Sequence, residues 1–337
     1  MDPNNIYNIT HSSDLDGMSS AAFLVRNLSV PIKNIYFTNY GGELFEDTLK
    51  FLKGFRKSGS LLIISDYGVN NKTFSRLKDA IASFKLRGNS VMWFDHHLWS
   101  DKQVGEMAKH CDLMVVGENP NCCGAELVYR FLCERNKKSD EIARITHLSD
   151  FDPVLIKSVK DRRLIDKVGN AIYYLRGHES LENPRLRRLV LHIAEGRLGH
   201  RYIMKAAETY YRISEPRLKK VMGSLVKIKC GGVKVSVGFG KKVRHQDITT
   251  RMLDDGADIV IYCAEDSGHS SVRSKAWVES SGISFALGGG GHPNASGFTV
   301  KKSDFDLSRK SGRGKFIKKI WELLKGGKAI RRLSPSR

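Results

Sequence analysis

Short apolar runs alternate with helix-like stretches in the N-terminal half, and this alternation most constrains the fold. The strand-like runs lie at 5–10 (NIYNIT), 35–38, 61–65 (LLIIS), 91–94 (VMWF) and 113–116. Helical patterns follow them at about 18–28, from about 44, at 73–85 and from about 124. Strands separated by helices are joined by right-handed crossovers, so the pattern predicts an α/β fold with a doubly wound parallel sheet.

Acidic and imidazole residues follow three of these strand-like runs. They are His11, Asp14 and Asp16 after the first run, Asp66 after the third, and Asp95, His96 and His97 after the fourth. The carboxyl ends of parallel strands meet at one edge of a sheet, so we expect these side chains to lie together. Asp150 ends a later helical stretch with Asp152 two residues on, and the spacing does not choose between them.

This clustering of carboxylates favours a metal site. Several Asp side chains within a few Å repel one another unless cations neutralise them. Combined Asp and His donors suit Mn²⁺ best, with Mg²⁺, Co²⁺ or iron as alternatives. Taken singly, Asp16 is equally well explained as a helix cap and Asp66 as a turn residue.

The second half of the chain predicts a smaller mixed α/β domain. Residues 155–228 have helical patterns, and the strand-like runs VKVSVGF, DIVIYCAE and SSVRS follow, with a helix near 247–255 and the glycine run GGGGHPNASGF. We therefore expect a catalytic domain over 1–200, a helical linker over 201–230, and a second domain over 231–337. Its basic tail is expected to be disordered at the end.

Charge is distributed unevenly along the chain, whose net charge is +20. Acidic and basic residues balance in 1–151 and 231–300, whereas 152–230 and 301–337 each carry an excess of +10. This favours a phosphate-attracting surface, with a merely solvated basic helix and tail as the alternative.

The sequence also bears on where the protein works. No apolar run spans a bilayer, no secretory signal is evident, and the six cysteines lack disulfide or zinc spacing. We therefore expect a cytoplasmic protein without a membrane partner.

Five motifs resemble those of a known enzyme family. HSSDLDG, ISDYG, FDHH and LSDFD, in that order, are similar to the four motifs of the DHH phosphoesterase superfamily. SVRS followed by GGGGHPNASGF resembles the signature of the DHH-associated C-terminal domain. The resemblance covers about residues 5–300 and extends to the nanoRNases, which hydrolyse short oligoribonucleotides and phosphoadenosine phosphate. It implies a metal-dependent phosphodiesterase.

The resemblance also implies roles for the clustered residues. One cation would be held by His11, Asp14 and Asp66, and a second by Asp16, Asp66, His96 and Asp150, so that Asp66 bridges two Mn²⁺ ions. Asp95 would orient its neighbouring histidine, and His97 would face the phosphate. Asp152 is the alternative to Asp150.

The glycine run is expected to bind substrate. Backbone N–H groups of Gly289, Gly290 and Gly291 can line a concave anion site. His292 and Asn294 place polar side chains beside it, and Arg273 can hold a terminal phosphate through two hydrogen bonds.

The function we expect is hydrolysis of short RNA or DNA oligonucleotides to nucleoside monophosphates, including phosphoadenosine phosphate as a substrate. The main alternative is a phosphodiesterase for cyclic or linear dinucleotides, of the c-di-AMP or pApA type. A longer-chain exonuclease of the RecJ kind, a family II pyrophosphatase and a non-catalytic nucleic-acid-binding scaffold fit less well. Whether the protein forms a homodimer is left open.

Overall fold

The computed structural model describes residues 1–69, 71–117, 121–151, 156, 158–177, 180–327 and 329–332. The chain divides into two compact units, Met1–Tyr210 and Tyr211–Arg337. In the described part of the chain, no helix has both the length and the apolar character that crossing a membrane requires.

The first unit is built on a sheet of five parallel strands among its described residues. These strands are β1 (Ile6–His11), β2 (Ile35–Thr38), β3 (Leu61–Ser65), β4 (Ser90–Phe94) and β5 (Leu113–Val115). Their spatial order is β2-β1-β3-β4-β5, so the winding direction reverses between β1 and β3. In such sheets, ligands bind outside the carboxyl ends of the strands at this reversal.

Helices cover both faces of this sheet. They are α1 (Leu15–Asn27), α2 (Gly42–Gly54), α3 (Phe74–Leu86), α4 (Asp101–Ala108), α5 (Gly124–Leu132), α6 (Lys137–Phe151), α7 (Val159–Leu175), α8 (Pro184–Ala194) and α9 (Arg201–Met222). Alternate strand residues enter different cores. Ile6 and Ile63 pack with α1 and α5–α8, whereas Ile9 and Ile64 pack with α2–α4. A strand buried on both faces must be apolar throughout, which explains runs such as LLIIS.

The start of α1 brings the first acidic pair into position. Asp14 is the N-cap of α1, and its side chain accepts a hydrogen bond from the backbone N–H of Gly17 at 3.2 Å. The helix therefore begins at Leu15, three residues before the apolar pattern predicts. Asp16 is thus buried in the first turn and is not the cap.

The second unit contains a mixed sheet of six strands among its described residues, in the order β11-β12-β9-β8-β7-β6. Only β7 and β8 pair in parallel within that described sheet. The strands are β6 (Val226–Cys230), β7 (Val233–Gly240), β8 (Ile259–Ala264), β9 (His269–Ser274), β11 (Gly290–His292) and β12 (Ala295–Thr299), while β10 (Val278–Glu279) pairs with β13 (Arg331–Arg332). The helices are α10 (His245–Asp254), α11 (Ser281–Ala286) and α12 (Lys310–Lys325).

These two units confirm the predicted fold class, a doubly wound parallel α/β domain followed by a smaller mixed α/β domain. Within the predicted linker, 201–230, α9 fills the first part and β6 forms the edge strand of the second sheet. The predicted domain boundaries at residues 200 and 231 stay a prediction.

The C-terminal segment is a folded part of the second unit. Helix α12 buries Phe316, Ile320 and Leu324 in the core of that unit, and Arg313 pairs with Glu265 at 2.9 Å. Arg331–Arg332 then pairs with β10 as a strand. The expectation of a tail that is disordered at its end is therefore wrong for residues up to 332, and 333–337 lie outside the described residues.

Candidate metal centre

The residues expected to bind metal lie at the carboxyl edge of the first sheet. His11 is the last residue of β1, and Asp66 directly follows β3, so the two stand on either side of the reversal in strand order. His96 follows β4, and Asp150 lies in the last turn of α6. We refer to His11, Asp14, Asp16, Asp66, His96 and Asp150 together as the candidate metal centre.

Three carboxylates converge on the imidazole of His96. Its Nε2 atom lies 3.6 Å from Asp16 Oδ2, 3.8 Å from Asp66 Oδ1 and 3.5 Å from Asp150 Oδ2. One ligand atom from each of Asp16, His96 and Asp150 lies within 4.8 Å of the others. The structure thus brings together the residues expected at the second cation. Asp152, the alternative to Asp150, lies outside the described residues.

A second group lies beside the first. Ligand atoms of His11, Asp14 and Asp66 also lie within 4.8 Å of one another, and His11 Nδ1 is 3.3 Å from Asp14 Oδ2. Asp66 belongs to this group and also contacts His96 of the other group. Asp66 thus lies next to both groups, and the bridging role that the family resemblance implies for it stays a prediction.

Asp66 has an unusual backbone and an unsatisfied side chain. Its φ angle is +47°, in the left-handed region that non-glycine residues adopt at a cost of about 1–3 kcal/mol. Its side chain is buried, and among the described residues no group donates a hydrogen bond to its Oδ2 atom. A buried carboxylate oxygen without a donor is costly, so a cation at this position fits the site.

Backbone amides fix the position of Asp16. Its two carboxylate oxygens accept hydrogen bonds from the N–H groups of Gly124 and Ala125, at 2.8 and 2.7 Å. These amides form the N-terminus of α5, whose dipole favours a negative charge. A Cβ atom on Gly124 would lie 2.8 Å from Asp66 Cβ and 3.1 Å from Asp16 Oδ2, so glycine permits this approach.

The carboxylates of the centre disfavour one another's ionisation. Burial raises the pKa of Asp66 well above its ordinary value, and the charges of Asp16 and Asp14 raise it further. Burial and the charge of Asp16 raise the pKa of Asp150 to about 8. Burial also raises the pKa of Asp16, although its interaction with the His96 imidazole opposes the shift. Divalent cations would stabilise the ionised form of all three, so the donor set fits the expected metals.

A hydrogen-bonded chain holds His97 beside the centre. Asp95 Oδ1 is 2.7 Å from His97 Nδ1, and Asp95 Oδ2 accepts a hydrogen bond from Trp99 Nε1 at 2.7 Å. Burial lowers the pKa of His97, but the charge and hydrogen bond of Asp95, together with the charges of Asp14 and Asp150, outweigh burial and raise the pKa to about 9. The histidine that Asp95 orients is therefore His97, and these contacts favour its protonated form.

Several residues at this edge carry no signal in the sequence. Tyr40 OH lies 3.3 Å from His97 Nε2, and the Tyr40 ring packs against His11. Tyr40 follows β2, so the reasoning about strand ends applied to it as well, but its side chain carries no metal-binding signal. Gly124 and Ala125 hold Asp16 through their backbone N–H groups. In the sequence, the one indication of this role is a glycine at the start of a helix.

The glycine run of the second unit forms a β-hairpin and not a concave loop. Gly290 and Gly291 of β11 pair with Gly297 and Ser296 of β12. The N–H of Gly289 donates to the Ser284 carbonyl at 2.8 Å, and a Cβ atom there would lie 2.0 Å from Gly297 O. Close packing of the hairpin therefore accounts for Gly289, whose N–H is already used, and anion binding by the N–H groups of Gly290 and Gly291 stays a prediction.

Two further residues expected to bind substrate are held by the backbone. Arg273 Nη1 donates to the carbonyls of Val272 and Ser296, at 2.9 and 3.2 Å. The Asn294 amide donates to Ser274 Oγ and to the carbonyls of Lys275 and Val278, at 2.8–2.9 Å. The side chain of His292 lies outside the described residues.

Comparison with known proteins identifies a domain in the first unit. Residues 5–149 match the model of the N-terminal domain of the DHH family. No curated protein matches this chain in sequence. The chain therefore contains a DHH-family N-terminal domain over residues 5–149, which confirms the resemblance of the sequence motifs in that part of the chain.

Solved structures share the fold of the whole chain. RecJ from Thermus thermophilus, in complex with Mn²⁺, is 17% identical with a TM-score of 0.61, over 94% of this chain and 52% of RecJ. The pGpG-specific phosphodiesterase PggH from Vibrio cholerae is 14% identical with a TM-score of 0.53, over 94% of this chain and 98% of PggH. An exopolyphosphatase-related protein from Bacteroides fragilis is 14% identical with a TM-score of 0.51, over 94% and 91% of the two chains. The present chain thus spans about half the length of RecJ.

Proposed function

We propose that this protein is a metal-dependent phosphodiesterase that hydrolyses short oligonucleotides to nucleoside monophosphates. The observation that carries this proposal is the convergence of Asp16, Asp66 and Asp150 on His96 Nε2, at 3.5–3.8 Å. Asp16 and Asp66 are buried, and carboxylates gathered around one imidazole repel one another. Their arrangement is explained by divalent cations.

Two cations fit the donor set, and we propose Mn²⁺, with Mg²⁺ or Co²⁺ as alternatives. His11, Asp14 and Asp66 would hold one ion, and Asp16, Asp66, His96 and Asp150 the other. When bound, such a pair supplies a nucleophile at neutral pH and neutralises negative charge on a phosphate. Burial of Asp66 between the two groups supports its role as the shared ligand.

His97 would act on the phosphate directly. Asp95 and Trp99 fix its orientation, and its raised pKa keeps a proton on the imidazole at neutral pH. A protonated imidazole beside the cations can donate a hydrogen bond to a phosphate oxygen as negative charge develops there. Because Asp95 accepts from Nδ1, the proton available to the substrate is the one on Nε2, which lies near Tyr40.

One relative of this fold supports the proposed substrate class. PggH is described as pGpG-specific, and this chain matches it over 98% of its own length. That match favours substrates of a few nucleotides, among which we include phosphoadenosine phosphate. The same match supports the second candidate function, a phosphodiesterase for linear or cyclic dinucleotides.

A substrate panel tests the proposal. The purified full chain is assayed with Mn²⁺ on RNA and DNA of two to ten nucleotides, on pGpG and pApA, and on cyclic dinucleotides. We expect Mn²⁺-dependent release of nucleoside monophosphates, fastest from the shortest linear substrates, and none from Asp16→Asn prepared in parallel. Selective cleavage of dinucleotides would favour the second candidate. Absence of turnover on every phosphodiester with Mn²⁺, Mg²⁺ and Co²⁺ would refute both.

A further inference from the structure

A cavity of about 430 Å³ opens between three helices of the first unit, α7, α8 and α9. Its walls come from the end of α7, the start of α8 and the first turns of α9. None of the residues of the candidate metal centre lines it. Cavities of this size are typical of sites for small organic ligands, which occupy about 300–1,000 Å³.

Three basic side chains line this cavity, namely Arg185, Arg188 and Lys205. All three are exposed, and no carboxylate in the described part of the chain lies within ion-pair distance of any of them. Two other arginines in this part of the chain do have carboxylate partners, because Arg187 and Arg197 each form an ion pair with a glutamate. Three cations without carboxylate partners around one cavity indicate an anionic ligand.

The position of Arg188 is fixed by an aromatic ring. Its guanidinium carbon lies 4.5 Å from the centre of the Tyr202 ring, and the Tyr202 hydroxyl donates to the Arg185 carbonyl at 3.1 Å. A guanidinium stacked on a ring keeps the N–H donors in its plane available for other partners. This preorganises a planar donor group for phosphate oxygens, which arginine can bind through two hydrogen bonds.

The remaining surface of the cavity is apolar. Tyr174 and Tyr202 are half-buried, and Leu175, a buried residue of the first unit's core, also lines the cavity. A bare inorganic anion would leave this apolar surface without a contact. An aromatic ring would fill it, and stacking of a base on an aromatic side chain contributes about 1–3 kcal/mol in nucleic-acid-binding proteins.

We propose that this cavity is a nucleotide-binding site, with the phosphate on Arg185, Arg188 and Lys205 and the base on the Tyr174 side. The site is distinct from the candidate metal centre and does not require cations. Its occupant is one nucleotide unit, either free as a nucleoside monophosphate or as part of a short oligonucleotide.

Calorimetric titration of the full chain in EDTA tests the proposal, because chelation removes any binding that depends on cations at the metal centre. AMP is titrated beside adenosine and inorganic phosphate, and we expect AMP to bind more tightly than either. Arg188→Ala and Lys205→Ala should each weaken AMP binding about fivefold. Arg201→Ala is the matched control, since Arg201 is an exposed basic residue on α9 that does not line the cavity.

Two substitutions of Tyr202 distinguish the contribution of its ring to AMP binding from that of its hydroxyl group. Tyr202→Phe keeps the ring under Arg188 and should retain most of the affinity, whereas Tyr202→Ala should lose as much as Arg188→Ala. Melting curves verify that each variant is folded. Unchanged AMP affinity in Arg188→Ala and Lys205→Ala, or inorganic phosphate binding as tightly as AMP, would overturn the proposal.

Titration of a five-nucleotide RNA into the wild type and the same variants tests whether the ligand is a free nucleotide or one unit of a strand. Tighter binding of the RNA than of AMP, lost in the same variants, assigns the cavity to a unit of a strand. Equal or weaker binding of the RNA assigns it to free nucleotides. Because these titrations use no catalysis, their outcome is independent of whether the enzyme activity proposed above is found.

Discussion

The two units differ in how the polar residues expected to act on substrate are satisfied. At the candidate metal centre, Asp66 Oδ2 has no hydrogen-bond donor among the described residues, and three carboxylates surround one imidazole. In the second unit, Asn294 and Arg273 donate to neighbouring carbonyls and a hydroxyl group. The first set lacks donors that would offset its negative charge, whereas both side chains of the second set donate to acceptors that the fold supplies.

The largest effect we expect is on activity when the shared ligand is changed. Asp66→Asn should reduce phosphodiester hydrolysis at least about 10³-fold, because a neutral amide binds cations weakly. Asparagine tolerates the left-handed backbone at this position, so the variant should fold. Without metal it should melt no lower than the wild type, since one repelling charge is removed.

Asp47→Asn is the control for this substitution, because Asp47 is a surface residue of α2 that pairs with Lys50 and belongs to none of the candidate ligand groups. It should leave the turnover rate unchanged. If Asp66→Asn kept more than about a tenth of the activity, Asp66 would not be the bridging ligand.

A smaller effect is expected from crowding the centre. Gly124→Ala places a methyl group 2.8 Å from Asp66 Cβ, so α5 or Asp66 must shift, at about 1–3 kcal/mol of stability. Displaced ligands should lower the turnover rate about 10- to 100-fold. Gly105→Ala, on α4 with open space around it, should instead keep activity and raise the melting temperature slightly. Equal behaviour of the two variants would show that Gly124 tolerates a side chain.

The third prediction concerns the pH dependence of stability in the metal-free protein. The folded-state pKa of Asp150, about 8, lies above its unfolded value of 3.8, so its contribution to stability is complete below pH 3.8 and is lost as the pH rises towards 8. The pKa values of Asp16, Asp66 and His97 are raised as well and act in the same direction, whereas the lowered pKa of His96 opposes them near pH 6.5 and reduces the net fall. In EDTA, the melting temperature should fall by about 5 °C between pH 6 and pH 8.

Adding Mn²⁺ should remove this fall, because the cations favour the ionised carboxylates at every pH in the range. A metal-free protein as stable at pH 8 as at pH 6 would contradict the described repulsion between the carboxylates.

The smallest effect is expected in the second unit. Asn294→Ala removes hydrogen bonds to Ser274, Lys275 and Val278 and should cost about 1–2 kcal/mol, measured by urea unfolding. Turnover of a small artificial phosphodiester should stay within about twofold. If this variant instead kept its stability and raised KM for oligonucleotides, Asn294 would be a substrate ligand and the contrast between the units would fail.

The sequence predicts the first sheet well because burial on both faces leaves a strong signal. The bounds of β2 and β3 are those expected, and the carboxyl edge that gathers His11, Asp66 and His96 follows from strand order alone. The start of α1 was missed, since apolar periodicity begins at Met18 whereas the cap at Asp14 sets the first turn.

What the sequence could not predict depends on distant packing. The N–H groups that hold Asp16 belong to residues more than 100 positions away and carry no side-chain signal. The glycine run lacks the alternation of apolar and polar residues that marks a strand, so its pairing with β12 was not evident. Its glycines are explained by how closely Gly289 approaches Gly297.

Helix α12 contributes both positive surface charge and core side chains, so deleting it would remove both at once. Its outward residues supply much of the excess positive charge near the C-terminus, while Phe316, Ile320 and Leu324 complete the interior of the second unit. A chain shortened before this helix would lose its folded second half together with its cations. Electrostatic attraction of nucleic acid to this helix is therefore best measured by exchanging Lys318 and Lys319 for glutamate, with the helix left intact.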